Sequence, residues 1–104
     1  NIGYYDLLSL KEQRFFPTEY ALFQNYPNPF NPITQIKYNL PVAGRVQLTI
    51  YDILGRQVAE LVNTDQQAGY HKVAWNGDQN ASGLYFVTMI AGRYISTQKL
   101  MLVK

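Results

Sequence analysis

Short stretches in which apolar and polar residues alternate, each closed by Gly, Pro or Asn, constrain this chain more than any other feature. The clearest is 45–51, where Val46, Leu48 and Ile50 fall on one side and Arg45, Gln47, Thr49 and Tyr51 on the other. Successive strand side chains point to opposite faces, so this pattern describes a strand with one buried and one wetter side. Upstream, Thr34, Ile36, Tyr38 and Leu40 alternate with Ile33, Gln35, Lys37 and Asn39, and Pro41-Val42-Ala43-Gly44 predicts a turn that joins the two strands as a hairpin. Downstream, Ile53-Leu54-Gly55-Arg56 turns the chain into a strand over 57–62. Gln66-Gln67-Ala68-Gly69 separates that strand from one over 70–75, in which His71, Val73 and Trp75 share a face. Asn76-Gly77 reads as a tight turn, since both residues tolerate positive φ. The run 84–90 is continuously apolar and aromatic, which predicts a central strand covered on both faces. Ala91-Gly92-Arg93 then closes a hairpin onto a last strand over 94–103. With a further strand expected within 19–25, the fold class is all-β, an antiparallel sandwich of about seven strands.

Nothing after Pro27 keeps a helical period. Before it, Tyr4, Leu7, Leu8 and Phe15 have a spacing compatible with a short amphipathic helix, with Asp6 near its start and Lys11 and Arg14 toward its end. The same stretch reads equally as a linker, and we divide the chain into residues 1–18, linker or tail of a preceding domain, and residues 19–104, the sandwich. A first residue that is Asn1 rather than Met is expected of a piece of a longer polypeptide. The 104 residues suffice for one domain, and 47% hydrophobic against 15% charged residues argues for a packed core rather than disorder.

The same composition narrows the function classes. The nine Lys and Arg against seven Asp and Glu are scattered, so no footprint for nucleic acid is present. No apolar run is long enough to span a membrane as a helix. The absence of Cys removes thiolate metal clusters and thiol nucleophiles, and no cofactor or metal site is expected. His71 has no serine or carboxylate in a motif relation to it and reads as a partly buried, hydrogen-bonded structural residue rather than a general base. Asp52, Asp65 and Asp78 fall at strand ends or turns, where Asp bonds local backbone. No phosphate loop, nucleophile elbow or calcium-loop spacing occurs, so the chain reads as non-catalytic. Nine tyrosines and one Trp make a carbohydrate-binding or accessory module of a secreted glycosidase the alternative reading. Tyr38, Tyr51, Tyr85 and Trp75, however, lie within strands, where aromatic residues pack.

The most unusual stretch is Asn25-Tyr26-Pro27-Asn28-Pro29-Phe30-Asn31-Pro32. Proline fixes φ and lacks a donor, which predicts a stiff, extended surface strap. Tyr26 and Phe30 would cap one end of the sandwich, or the strap would serve as a displayed recognition element. The terminal Lys99-Leu100-Met101-Leu102-Val103-Lys104 is an apolar strand bracketed by lysines that limit edge association.

Taken in order, residues 26–32, then Thr34, Ile36, Tyr38, Leu40-Pro41, Gly44, Val46, Ile50-Tyr51-Asp52, Gly55-Arg56 and Val58 resemble the type A C-terminal sorting domain of the type IX secretion system. The likeness continues through Leu61, Ala68-Gly69, His71, Val73, Trp75-Asn76-Gly77, Ser82-Gly83-Leu84-Tyr85-Phe86, Ala91-Gly92 and 99–104, covering about residues 16–104. The stretch between Gly77 and Ser82 is shorter than the family's usual loop. The flagellar hook-cap Ig-like domain is similar over part of the pattern, but chain order, with the lysine-rich strand last, favours the sorting domain. The resemblance implies an immunoglobulin-like sandwich that acts as a secretion signal for a larger cargo protein of Bacteroidetes-type bacteria. It implies as partners an N-terminal cargo domain, an outer-membrane translocon and a sortase-like cysteine peptidase that removes the domain on export. The implied destination is secreted or cell-surface, by way of the periplasm. By analogy the candidate recognition residues are Asn28 and Pro29 in the strap and Lys99, Leu100, Leu102 and Lys104 in the terminal strand.

Overall fold

The computed structural model describes residues 16–104, so the choice between helix and linker over 4–15 lies outside the described residues. Seven strands follow one another: β1 (Ala21–Leu22), β2 (Ile33–Leu40), β3 (Gly44–Asp52), β4 (Gln57–Gln66), β5 (Gly69–Asn76), β6 (Gly83–Ala91) and β7 (Tyr94–Leu102). They form a three-stranded sheet, β1-β2-β5, and a four-stranded sheet, β4-β3-β6-β7. Every pairing is antiparallel. The all-β sandwich expected from the alternation is therefore present, and the described residues contain no helix.

The alternation decides which faces meet. Ile36, Tyr38 and Leu40 of β2, and Val46, Leu48 and Ile50 of β3, are each at most 1% exposed and face one another across the sandwich. Val87 and Met89 of β6 and Leu100 and Leu102 of β7 complete the inner face of the larger sheet. Each such side chain contributes about 1.5–3 kcal/mol by leaving water. Trp75 of β5 meets Tyr85 edge-on, with ring centres 5.3 Å apart, and so ties the two sheets at one end.

The β6–β7 hairpin forms as expected. Ala91 pairs with Tyr94 across Gly92-Arg93, and Gly92 takes φ 59°, which a glycine at the first loop position of a two-residue turn supplies without steric cost. Three expectations are corrected. β2 and β3 do not form a hairpin: both aim their apolar sets into the shared core, so Pro41–Gly44 must carry the chain from one sheet to the other. Asn76-Gly77 is likewise a crossing between sheets, and neither residue takes positive φ. Gly77 matters through space instead, because a Cβ there would lie 3.0 Å from Leu102 Cδ2 and 3.5 Å from Phe30 Cε2. Finally, β6 is central in its sheet but only its inner face is covered, since Leu84, Phe86 and Thr88 are half-buried and Ile90 is exposed on the other.

Candidate recognition surface

The strap between β1 and β2 is pinned at both ends by backbone bonds. Tyr26 N–H donates to Gln35 O (3.0 Å) and Gln35 N–H to Tyr26 O (2.9 Å). Between them, buried Asn25 donates through Nδ2 to Pro27 O (3.1 Å) and to Thr34 Oγ1 (3.0 Å), and Thr34 Oγ1 donates to the same Pro27 carbonyl (2.8 Å). This knot draws the chain back on itself. The strap is therefore bent rather than extended as its prolines alone suggested, and the peptide bonds preceding Pro27, Pro29 and Pro32 are cis. Sequence reasoning missed Asn25 and Thr34. The available signal was a polar residue at the position of β2, Thr34, where the alternation demands a buried one.

Phe30 does cap the sandwich, buried with its ring 5.6 Å from that of Trp75. Tyr26 does not: it is 80% exposed, because its pairing with Gln35 places it beside a residue on the outer face of β2.

The two candidate recognition elements, far apart in sequence, lie side by side. Phe30 N–H donates to Met101 O (2.9 Å), Val103 N–H donates to Phe30 O (2.9 Å), and Asn28 Oδ1 accepts from Met101 N–H (3.0 Å). Asn28, Pro29, Lys99 and Lys104 are exposed, whereas Leu100 and Leu102 are fully buried in the core. The chain end is also held: Lys104 N–H donates to Ser82 Oγ (3.0 Å) and Lys104 Nζ to Asp78 O (2.6 Å). A few residues earlier in the strand, Gln24 Nε2 donates to Lys99 O (2.5 Å) and Gln98 Nε2 to Leu22 O (2.9 Å). The strap thus occupies part of the edge that β7 was expected to present. Backbone groups alternate in direction along a strand, so those of Ile95 and Thr97 share the outward orientation of Met101 and Val103, and no backbone hydrogen bond engages the Ile95 and Thr97 groups among the described residues.

The residues tempting for catalysis are accounted for structurally. His71 stacks on Tyr38 with centres 5.2 Å apart, and its Nε2 donates to Gln67 O (2.8 Å), with no carboxylate or hydroxyl bonded to it. Burial pushes the Tyr38 phenol above its ordinary range, against the opposing effect of its hydrogen bond to Gln66 Oε1 (2.6 Å). Asp52 organises the β3–β4 turn, accepting from Leu54 N–H (2.9 Å), Arg56 N–H (3.0 Å) and Arg56 Nε (2.8 Å). No group of His, Asp and Glu fit to hold a metal occurs among the described residues. No helix there is long and apolar enough to cross a membrane.

The class defined by these features is an antiparallel β-sandwich module whose distinctive surface is a proline strap clasped to its own terminal strand. Comparison with protein families makes it more definite: the model of the secretion system C-terminal sorting domain matches residues 24–104, and the chain belongs to this family. Its members are sorting signals for type IX secretion, recognised by that machinery as the mark of a cargo, and are in general non-catalytic. The domain therefore indicates a secreted or cell-surface cargo protein. No curated protein matches the chain.

Proposed function

We propose that residues 19–104 form a sorting domain that carries an N-terminal cargo through the periplasm to an outer-membrane translocon, with residues 1–18 as linker. A sortase-like cysteine peptidase then removes the domain. The single observation behind the recognition surface is the convergence of Asn28-Pro29 and β7 into one ridge, bounded by Lys99 and Lys104. A peptidase needs backbone that can be extended. Leu22 and Asn25 are buried and hydrogen-bonded within the fold, which favours cleavage ahead of β1.

Deleting residues 99–104 is a poor test of recognition, because it removes Leu100 and Leu102 from the core and so unfolds the domain. Substituting exposed residues separates signal from stability. Residues 16–104 are fused behind an exported fluorescent reporter in a type IX-competent bacterium and in a translocon-null strain. Translocon-dependent fluorescence outside the cell is expected, and the exposed substitutions Lys99→Ala and Lys104→Ala together should reduce it several-fold. Their melting should stay within about 0.5 kcal/mol of the parent, as for most surface substitutions. Periplasmic retention of the parent fusion in both strains overturns the sorting reading. Undiminished export of the substituted fusion overturns the recognition surface alone.

A further inference from the structure

The outer face of the three-stranded sheet is chemically unlike the rest of the surface. Lys37 and Lys72 are direct cross-strand partners. Phe23 N–H donates to Lys37 O (3.0 Å), so Lys37 directs its backbone groups toward the β1 side. Lys37–Lys72 is therefore a non-hydrogen-bonded pair, the class in which opposing side chains lie closest. Like charges directly opposite destabilise a sheet. The strands β1, β2 and β5 contain no Asp or Glu, and neither lysine pairs with a carboxylate among the described residues. The fold gains nothing from this arrangement, whereas an anion placed between the two ammonium groups would.

Aromatic rings flank the pair. Phe23 is 46% exposed and Tyr70 52% exposed, where sheets usually present polar residues to water. Phe23, Lys37, Asn39, Tyr70, His71 and Lys72 line a hollow of about 380 Å³. A second hollow of about 320 Å³ shares Phe23 and Lys37 with it and extends to Tyr26. Adjoining at Phe23 and Lys37, the two hollows outline a groove that runs obliquely over the sheet from Tyr70 to Tyr26, with the lysine pair between its ends.

We propose that this groove binds an acidic saccharide, with sugar rings lying on Tyr70, Phe23 and Tyr26 and a carboxylate held between Lys37 and Lys72. An acidic peptide fits less well. Adding a strand to the free edge of β5 brings side chains beside Lys72, but Lys37 lies one strand further in, about 5 Å beyond. A ligand that engages both lysines must lie across the face. The site meets the strap at Tyr26 but uses neither Asn28-Pro29 nor Lys99 and Lys104.

The test is a titration of the 104-residue chain with hexagalacturonate at low ionic strength, followed through backbone amide shifts. Saturable shifts at Phe23, Lys37, Tyr70 and Lys72 are expected, weakening as salt is raised. Maltohexaose, which is neutral, should produce none. The Lys37→Ala/Lys72→Ala variant should bind about tenfold more weakly or worse, as loss of charge-assisted bonds requires. Its core amide shifts should match the parent's, which shows that it is folded. Phe23→Ala with Tyr26→Ala should weaken binding while leaving the salt dependence unchanged. Absence of saturable shifts, equal binding of maltohexaose, or unchanged affinity in the double-lysine variant overturns the proposal. Binding of hexaglutamate as tight as that of hexagalacturonate also overturns it and assigns the face to acidic peptides.

Discussion

Two glycines show how differently the same residue type is used. Gly77 is buried, and an added Cβ would meet Leu102 at 3.0 Å, with Phe30 behind it. Leu102 is itself fully buried and has little room to retreat. Gly77→Ala should therefore cost about 1–3 kcal/mol, the usual penalty of overpacking, read as a lower urea midpoint. Gly44 has nothing within 4 Å and an ordinary φ, so Gly44→Ala should be neutral or stabilise by up to about 1 kcal/mol through the unfolded chain. Equal effects at the two positions would show that Leu102 moves freely. Asp52 supplies a pH dependence. The Arg56 backbone N–H foremost, with the Arg56 side chain and Leu54 N–H, holds its carboxyl below the usual range, against a smaller desolvation effect. A depressed folded-state value means that the unfolded chain takes up the proton first as pH falls. Its stabilisation is thus present above about pH 4 and lost as acid titrates the folded carboxylate. Asp52→Asn should melt below the parent at pH 7, and the gap should close by about pH 2; a gap constant across that range would rule out the linkage.

What was legible in the sequence follows from the kind of interaction involved. Strands are local, so period-two alternation located β2, β3 and β5 and their inner faces, whereas β6 was located by its apolar run and read as covered on both faces. The Gly92 hairpin was legible because its turn chemistry sits within four residues. The crossings at Pro41–Gly44 and Gly77 were misread because a turn residue declares that the chain bends, not which sheet receives the next strand. The recognition surface was half legible: Asn28-Pro29 and the lysines of β7 were singled out separately, but their adjacency depends on Phe30 N–H and Val103 N–H, contacts that no local pattern encodes. The family resemblance, by contrast, was recovered from motif order and agrees with the match over residues 24–104. At the level of these elements, Asn28 is the side-chain clasp between strap and strand. Asn28→Ala should leave global unfolding within about 1 kcal/mol, since one exposed hydrogen bond is lost. Hydrogen exchange of the Met101 amide should nevertheless accelerate markedly while those of β3 stay slow. Unchanged protection of Met101 would mean that the Phe30 backbone pairing alone holds the strand.

For the molecule as a whole, the question is where the folding unit starts. The family match begins at residue 24, just past β1, yet β1 and its flanks join the two sheets along β7. Tyr20 stacks on Tyr94 with centres 5.2 Å apart, Leu22 is buried in the core, and Gln98 Nε2 donates to the Leu22 carbonyl. Loss of Leu22 burial costs about 1.5–3 kcal/mol, and loss of the aromatic pair about 0.5–1.5 more. The remaining core, from Phe30 through Leu102, is untouched by such a truncation. A chain of residues 24–104 should therefore fold, but with stability about 2–4 kcal/mol below that of residues 19–104, measured by urea denaturation with similar slopes. If the two chains prove equally stable, β1 belongs to the linker and the segment open to a peptidase reaches the strap itself. If the longer chain is more stable as expected, the folded body extends upstream of the family boundary, and the proposed cleavage would have to fall before Tyr20 to leave the domain intact.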